Sequence, residues 1–147
     1  MNEITVQSAQ FGEFSVPHTS IFTLPEGIPG FPGMQSAVLV SAVDTPGFED
    51  VAVAGSFWWL QSTTEADLAF LCADPWLVDQ DYELDFDEKV IGIESVEDVM
   101  VLSIVSVTED SMTANLRAPL VLNTTAKLAA QVVLADARWS LKTKVVG

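Results

Sequence analysis

The carboxylates of residues 79–87 have the types and spacing most able to do chemistry. Asp79-Gln80-Asp81-Tyr82-Glu83-Leu84-Asp85-Phe86-Asp87 alternates acid with apolar side chain. On a strand, this would set Asp81, Glu83, Asp85 and Asp87 on one face and Tyr82, Leu84 and Phe86 on the other. A calcium loop beginning at Asp79 is excluded, because Leu84 stands where the sharp turn needs glycine and Val90 where a bidentate Glu is required. A paired-carboxylate active site, the chemistry of a hydrolase or metal-binding enzyme, lacks any base or nucleophile placed beside it in sequence. A solvated face and a docking edge for a basic partner both remain open.

The other reactive side chains are isolated. Cys72 is the single cysteine and cannot form an internal disulfide; with no cationic neighbour in sequence it reads as a small buried hydrophobe. His18, the single histidine, follows Pro17 without a carboxylate or thiol partner nearby and reads as a turn residue. There is no phosphate loop, metal-spaced cysteine set or nucleophile elbow. No cofactor is implied. Asn123-Thr124-Thr125 matches a glycosylation acceptor, but no basic, apolar leader suggests secretion, so a cytoplasmic location is expected. Neither is any apolar run long enough for a spanning helix.

Charge narrows the partners. The net charge of −15 over 147 residues is unevenly distributed: residues 1–116 hold all but one of the 21 acidic groups and only Lys89 among the six basic ones. Such a surface repels phosphate backbones and attracts basic proteins, with an association rate that salt should reduce. Direct nucleic-acid binding and membrane association are therefore not expected.

The elements that must position these groups read as β. The apolar, β-branched run 99–107, the polar tip Glu109-Asp110-Ser111 and the return from 112 to 122 suggest a hairpin at the centre of a sheet. Shorter strands are expected within 4–16, broken near Phe11-Gly12-Glu13-Phe14, and at 21–24, 36–43, 56–62 and 68–73, with the acidic strand at 79–87. Asp44-Thr45-Pro46-Gly47 and Asp74-Pro75-Trp76 read as turns, and 48–55 is ambiguous. Residues 26–33, with two prolines and three glycines, form a conspicuous corner. Ser95-Val96-Glu97-Asp98 permits one short helix. Residues 117–123 read as an edge strand with Pro119 near its start. A turn or short helix and then a strand over 131–134 follow, and 139–146 is a last strand or frayed tail. No linker or repeat divides the chain, so 1–147 is expected to be one mainly β domain with at most one or two short helices.

Six motifs taken together give a family resemblance. Gly27-Ile28-Pro29-Gly30-Phe31-Pro32, Leu60-Gln61-Ser62, Asp74-Pro75-Trp76 with Asp81-Tyr82-Glu83, Val101-Leu102-Ser103-Ile104-Val105, Thr113-Ala114-Asn115-Leu116-Arg117-Ala118-Pro119-Leu120 and Gln131-Val132-Val133-Leu134 resemble, in order and spacing, the bacterial flagellar assembly factor FliW family. The resemblance implies a single antiparallel β-barrel-like domain, monomeric when free, that is not an enzyme. It also implies two partners, the translational repressor CsrA and newly made flagellin. In the family scheme FliW relieves CsrA repression of flagellin messenger RNA until accumulating flagellin competes for FliW. The sequence departs from the family pattern over 86–99, where a longer helical segment is frequent, and at Trp139, where a smaller aromatic is usual. On this basis Asp79, Asp81, Glu83 and Asp85 are candidates for the CsrA contact, and Phe31, Trp58 and Trp59 for an apolar flagellin segment. Arg117, the first basic residue after a long acidic stretch, is a candidate for pairing with a carboxylate inside the fold.

Overall fold

Side chains pointing alternately to opposite sheet faces let a set of short apolar strands close into a ring around one core. The computed structural model describes residues 2–44, 54–85 and 91–145. Its strands are β1 (Glu3–Ser8), β2 (Gly12–Pro17), β3 (Phe22–Thr23), β4 (Ser36–Ser41), β5 (Phe57–Ser62), β6 (Ala69–Ala73), β7 (Val99–Val107), β8 (Met112–Ala114), β9 (Leu120–Asn123), β10 (Leu128–Gln131) and β11 (Thr143–Lys144). One helical turn, α1 (Pro75–Val78), follows β6.

Seven strands close the barrel in the order β3, β4, β5, β6, β7, β9, β10 and back to β3. All neighbours are antiparallel except β10 and β3, which meet in parallel at Leu128 and Thr23. The mainly β, barrel-like expectation holds. Every strand of the ring contributes to the interior: Phe22, Ala37, Leu60, Cys72, Leu102, Leu120, Leu122 and Ala129 form one buried cluster. Each fully buried leucine among them contributes roughly 1.5–3 kcal/mol relative to exposure. The barrel is therefore filled.

Outside the ring, β8 and β11 extend the sheet beyond β7, and β1 with β2 forms a separate hairpin. The hairpin is anchored by Ala9 N–H donating to the Ala66 carbonyl at 2.8 Å and by Phe11, whose ring meets Trp59 edge-on at 5.9 Å.

Several local expectations need correction. The return from residue 112 is not continuous: β8 pairs with the end of β7 and β9 with its beginning, while residues 115–119 cross between them. Asn115 shapes that crossing, its Oδ1 accepting from Ala118 N–H at 2.9 Å. Consequently β9 is not an edge strand. It pairs with β7 on one side and β10 on the other, and Pro119 lies just before it. The last ring strand is Leu128–Gln131 and not 131–134, since Lys127 at φ 59° turns the chain into pairing register immediately after the turn. Asp74-Pro75-Trp76 starts a helix: Asp74 Oδ1 accepts from Trp76 N–H at 2.9 Å, with proline in the first turn. The short helix near Ser95 is a single 3-10 turn, Val96–Asp98. The turn at 44–47 and the segment 48–55 fall largely outside the described residues.

Several of the motifs hold the scaffold together. Ser62 Oγ donates to the Gly33 carbonyl at 3.0 Å, fastening the Pro/Gly corner to the loop after β5. Its neighbour Gln61 is fully buried and donates through Nε2 to the carbonyls of Ser62 and Leu68. Asn123 is also buried and therefore no glycosylation acceptor in the folded chain; it donates to the Ile91 carbonyl at 2.9 Å and accepts from Thr125 and Ala126 N–H.

Candidate partner-binding surface

Over its described residues, 79–85, the acidic segment is not a strand. Residues 79–85 have no ladder partner, although the exposure pattern expected of a strand survives: Asp81, Glu83 and Asp85 are exposed and Tyr82 is buried. Side chains replace the missing ladder. Asp79 turns back on the chain, its Oδ1 accepting from Asp81 N–H at 2.9 Å. Tyr82 Oη donates to the Leu116 carbonyl at 2.6 Å, and Trp76 Nε1 donates to the Tyr82 carbonyl at 3.0 Å. Aromatic contacts continue this attachment, with Tyr82 edge-on to Trp76 at 5.7 Å and to Trp139 at 4.8 Å. Burial pushes the Tyr82 hydroxyl up to about 12, as expected for a neutral donor in an apolar cluster. Phe86 and Asp87 lie outside the described residues.

Beyond Tyr82 the segment borders a groove of about 680 Å³. Glu83, Asp85 and Asp136 supply its carboxylates, and Leu84, Leu134, Ala135 and Trp139 its apolar lining. Arg138 bridges two of the acids: Nη2 lies 3.3 Å from Glu83 Oε2 and 3.4 Å from Asp136 Oδ2. The sequence reading missed Asp136, Arg138 and Trp139 because they are some fifty residues from the acidic segment and look like an ordinary tail. Among the described residues, Arg117 pairs with no carboxylate; the ion pairs that do form are made by Arg138, at the surface and not inside the fold.

The three candidate aromatics do not form one patch. Phe31 is 42% exposed and packs edge-on against Phe70 at 4.9 Å. Trp58 and Trp59 are successive on β5 and face opposite ways. Trp58 packs on the barrel interior and lines a second groove, of about 330 Å³, with Trp76, Met100 and Asp74. Trp59 joins the outer cluster of Phe57, Leu71 and Val105, beneath Phe11.

The other reactive side chains, Cys72 and His18, are dispersed. Cys72 is buried in the barrel, where desolvation raises its thiol to about 12. His18 begins the 3-10 turn after β2, with Nδ1 3.1 Å from the Asn2 carbonyl. Among the described residues no three His, Cys, Asp or Glu side chains are grouped to hold a metal ion. No helix among them is long and apolar enough to cross a membrane.

These features define a small closed β-barrel with a filled interior, bordered by an acidic groove and a smaller groove at Trp58. The family model for FliW protein matches residues 5–145, and the chain belongs to the FliW family. It is 34% identical to the flagellar assembly factor FliW of Caldicellulosiruptor saccharolyticus over 142 residues, covering 93% of this chain and 87% of the relative. The Bacillus subtilis (strain 168) flagellar assembly factor FliW is 31% identical over 148 residues, with 97% and 96% covered. A crystal structure of the flagellar assembly factor FliW shares the fold at a TM-score of 0.83 and 28% identity, with 97% of each chain covered.

Proposed function

We propose that this protein is a non-catalytic partner switch in flagellar assembly, acting in the cytoplasm as one domain. It binds the translational regulator CsrA, relieves repression of flagellin synthesis, and gives up CsrA when flagellin competes for it. Family membership along nearly the whole chain is the observation that carries this reading. Charge supports it. An RNA-binding repressor presents basic surface, and the exposed Asp81, Glu83 and Asp85, on a segment pinned by Tyr82, offer a fixed acidic counterpart. Phe31 and the Trp58 groove are the proposed receiving points for flagellin, while Trp59, on the opposite face of β5 beneath Phe11, is set apart from them.

The test replaces Asp79 and Asp81 and Asp85 by Asn and Glu83 by Gln together, leaving the Asp79 turn able to form. CsrA affinity is then measured at low and moderate salt. Weaker binding with a shallower salt dependence is expected. Unchanged affinity with an unchanged salt slope overturns the acidic contact, and absence of CsrA binding by the unaltered protein overturns the switch.

A further inference from the structure

The groove beside the acidic segment already holds a cation from its own chain. The Arg138 guanidinium lies over the Trp139 ring, 4.3 Å from its centroid, while Nη2 donates to Glu83 Oε2 at 3.3 Å and sits 3.4 Å from Asp136 Oδ2. The backbone presents this side chain on a short turn, with Asp136 Oδ1 accepting from Arg138 N–H at 2.9 Å. A planar guanidinium lying over an indole, with one nitrogen between two carboxylates, has the geometry of an arginine site; an ammonium has no equivalent face to lay on the ring.

The occupant is loosely held and does not satisfy the site. The Arg138 side chain is 51% exposed and Glu83 80% exposed, so solvent screens both ion pairs and they hold the guanidinium weakly. Asp85, the third carboxylate, makes no ion pair among the described residues. The apolar lining of Leu84, Leu134 and Ala135 extends a groove of about 680 Å³, too large for one guanidinium head.

We propose that Arg138 is a placeholder, and that the groove receives an arginine flanked by aliphatic residues from the basic partner protein, which displaces Arg138 as it docks. This deepens the preceding reading and rests on it for the partner's identity. The groove chemistry stands separately. It predicts discrimination between arginine and lysine, which bulk negative charge does not provide.

The experiment uses the full chain and the blocked tripeptides Leu-Arg-Leu and Leu-Lys-Leu, followed by NMR at the Trp139 indole. Three proteins are compared: unaltered, Arg138→Gln and Lys142→Gln. Lys142 is exposed and outside the groove lining, so its replacement changes net charge equally without emptying the site. The expected result is that Arg138→Gln binds the arginine peptide about 5-fold tighter than Lys142→Gln, as loss of a weakly held competitor implies. The lysine peptide should bind several-fold more weakly to all three. Equal affinities of the two variants, equal affinities of the two peptides, or shifts that bypass Trp139 would each overturn the proposal. CsrA titrated into the same proteins separates the two readings. Arginine selectivity without CsrA binding leaves the groove and removes the partner, whereas CsrA binding with equal variants removes the placeholder.

Discussion

Tyr82 Oη donates to the Leu116 carbonyl at 2.6 Å, joining the acidic segment to the crossing between β8 and β9. Both residues belong to the buried cluster of Tyr82, Leu116, Leu134 and Trp139. The barrel thus positions an exposed, unladdered acidic surface through one buried hydroxyl and the rings around it.

Tyr82→Phe keeps the ring and removes the hydroxyl, leaving the Leu116 carbonyl without this donor in an apolar setting. A loss of about 1–3 kcal/mol in urea denaturation is expected. CsrA affinity should fall as well, because the acidic segment has no ladder to hold it.

Stability should fall in alkali. Burial raises Cys72 from 9.0 to about 12 and Tyr82 from 10.0 to about 12. The unfolded chain therefore releases these protons first. Stability from each group is full below its unfolded value and is lost as pH rises toward the folded one. Denaturation midpoints should be insensitive to these two groups below about pH 8. The unfolding free energy should decline by about 1.4 kcal/mol per pH unit beyond 9 through Cys72, and more steeply beyond 10 as Tyr82 joins. Cys72→Ala should remove the first part of the decline and Tyr82→Phe the second.

Asn123→Ala should cost about 3 kcal/mol. It strips a buried side chain that donates to the Ile91 carbonyl at 2.9 Å and accepts from two N–H groups of the following turn. Thermal unfolding measures the loss, and purified Asn123→Ala should retain the acidic surface when folded at low temperature.

Gly27 and Gly55 make a controlled pair at exposed and corner backbone. A Cβ at Gly27 would meet only ordinary contacts, the nearest being the Met34 carbonyl at 3.7 Å, but φ is +62° there. Gly27→Ala should therefore cost about 1–2 kcal/mol through backbone strain alone. Gly55 has open space and no left-handed φ, so Gly55→Ala should be close to neutral or slightly stabilising by denaturant titration.

The mechanism of the proposed CsrA antagonism can be read from RNA titrations of CsrA at increasing concentrations of this protein. A site distinct from the RNA site should make the apparent RNA affinity level off as this protein is raised to saturation, reflecting finite coupling between sites. An apparent affinity that keeps weakening in proportion to added protein, with no limit, would instead mean that the carboxylates occupy the RNA site.

Local pattern wrote most of the barrel strands. The run 99–107 is β7 itself, and the runs at 36, 56 and 68 match β4, β5 and β6 within a few residues, because a strand buried among neighbours must carry apolar residues in sequence. The acidic stretch shows the limit of that inference. Alternation recorded which side chains of 81–85 meet solvent, but a ladder requires a partner strand, and here Tyr82 and Asp79 hold the chain without one. The Asp74-Pro75 start of α1 was present as a cap and was outweighed by the turn propensity of the same residues.

The chain's own residues set the net charge and place all but one acidic group in the first 116 positions, and with the six motifs they determined the family. These are sums and local spacings, which need no knowledge of what lies across the fold. Ring closure did need it. The parallel meeting of β10 with β3 and the two-sided pairing of β9 depend on backbone groups brought together from distant positions. The acidic groove is decided in the same way. Glu83 and Arg138 are 55 residues apart, and only the packing of Tyr82 against Leu116 and Trp139 brings the carboxylate to the guanidinium.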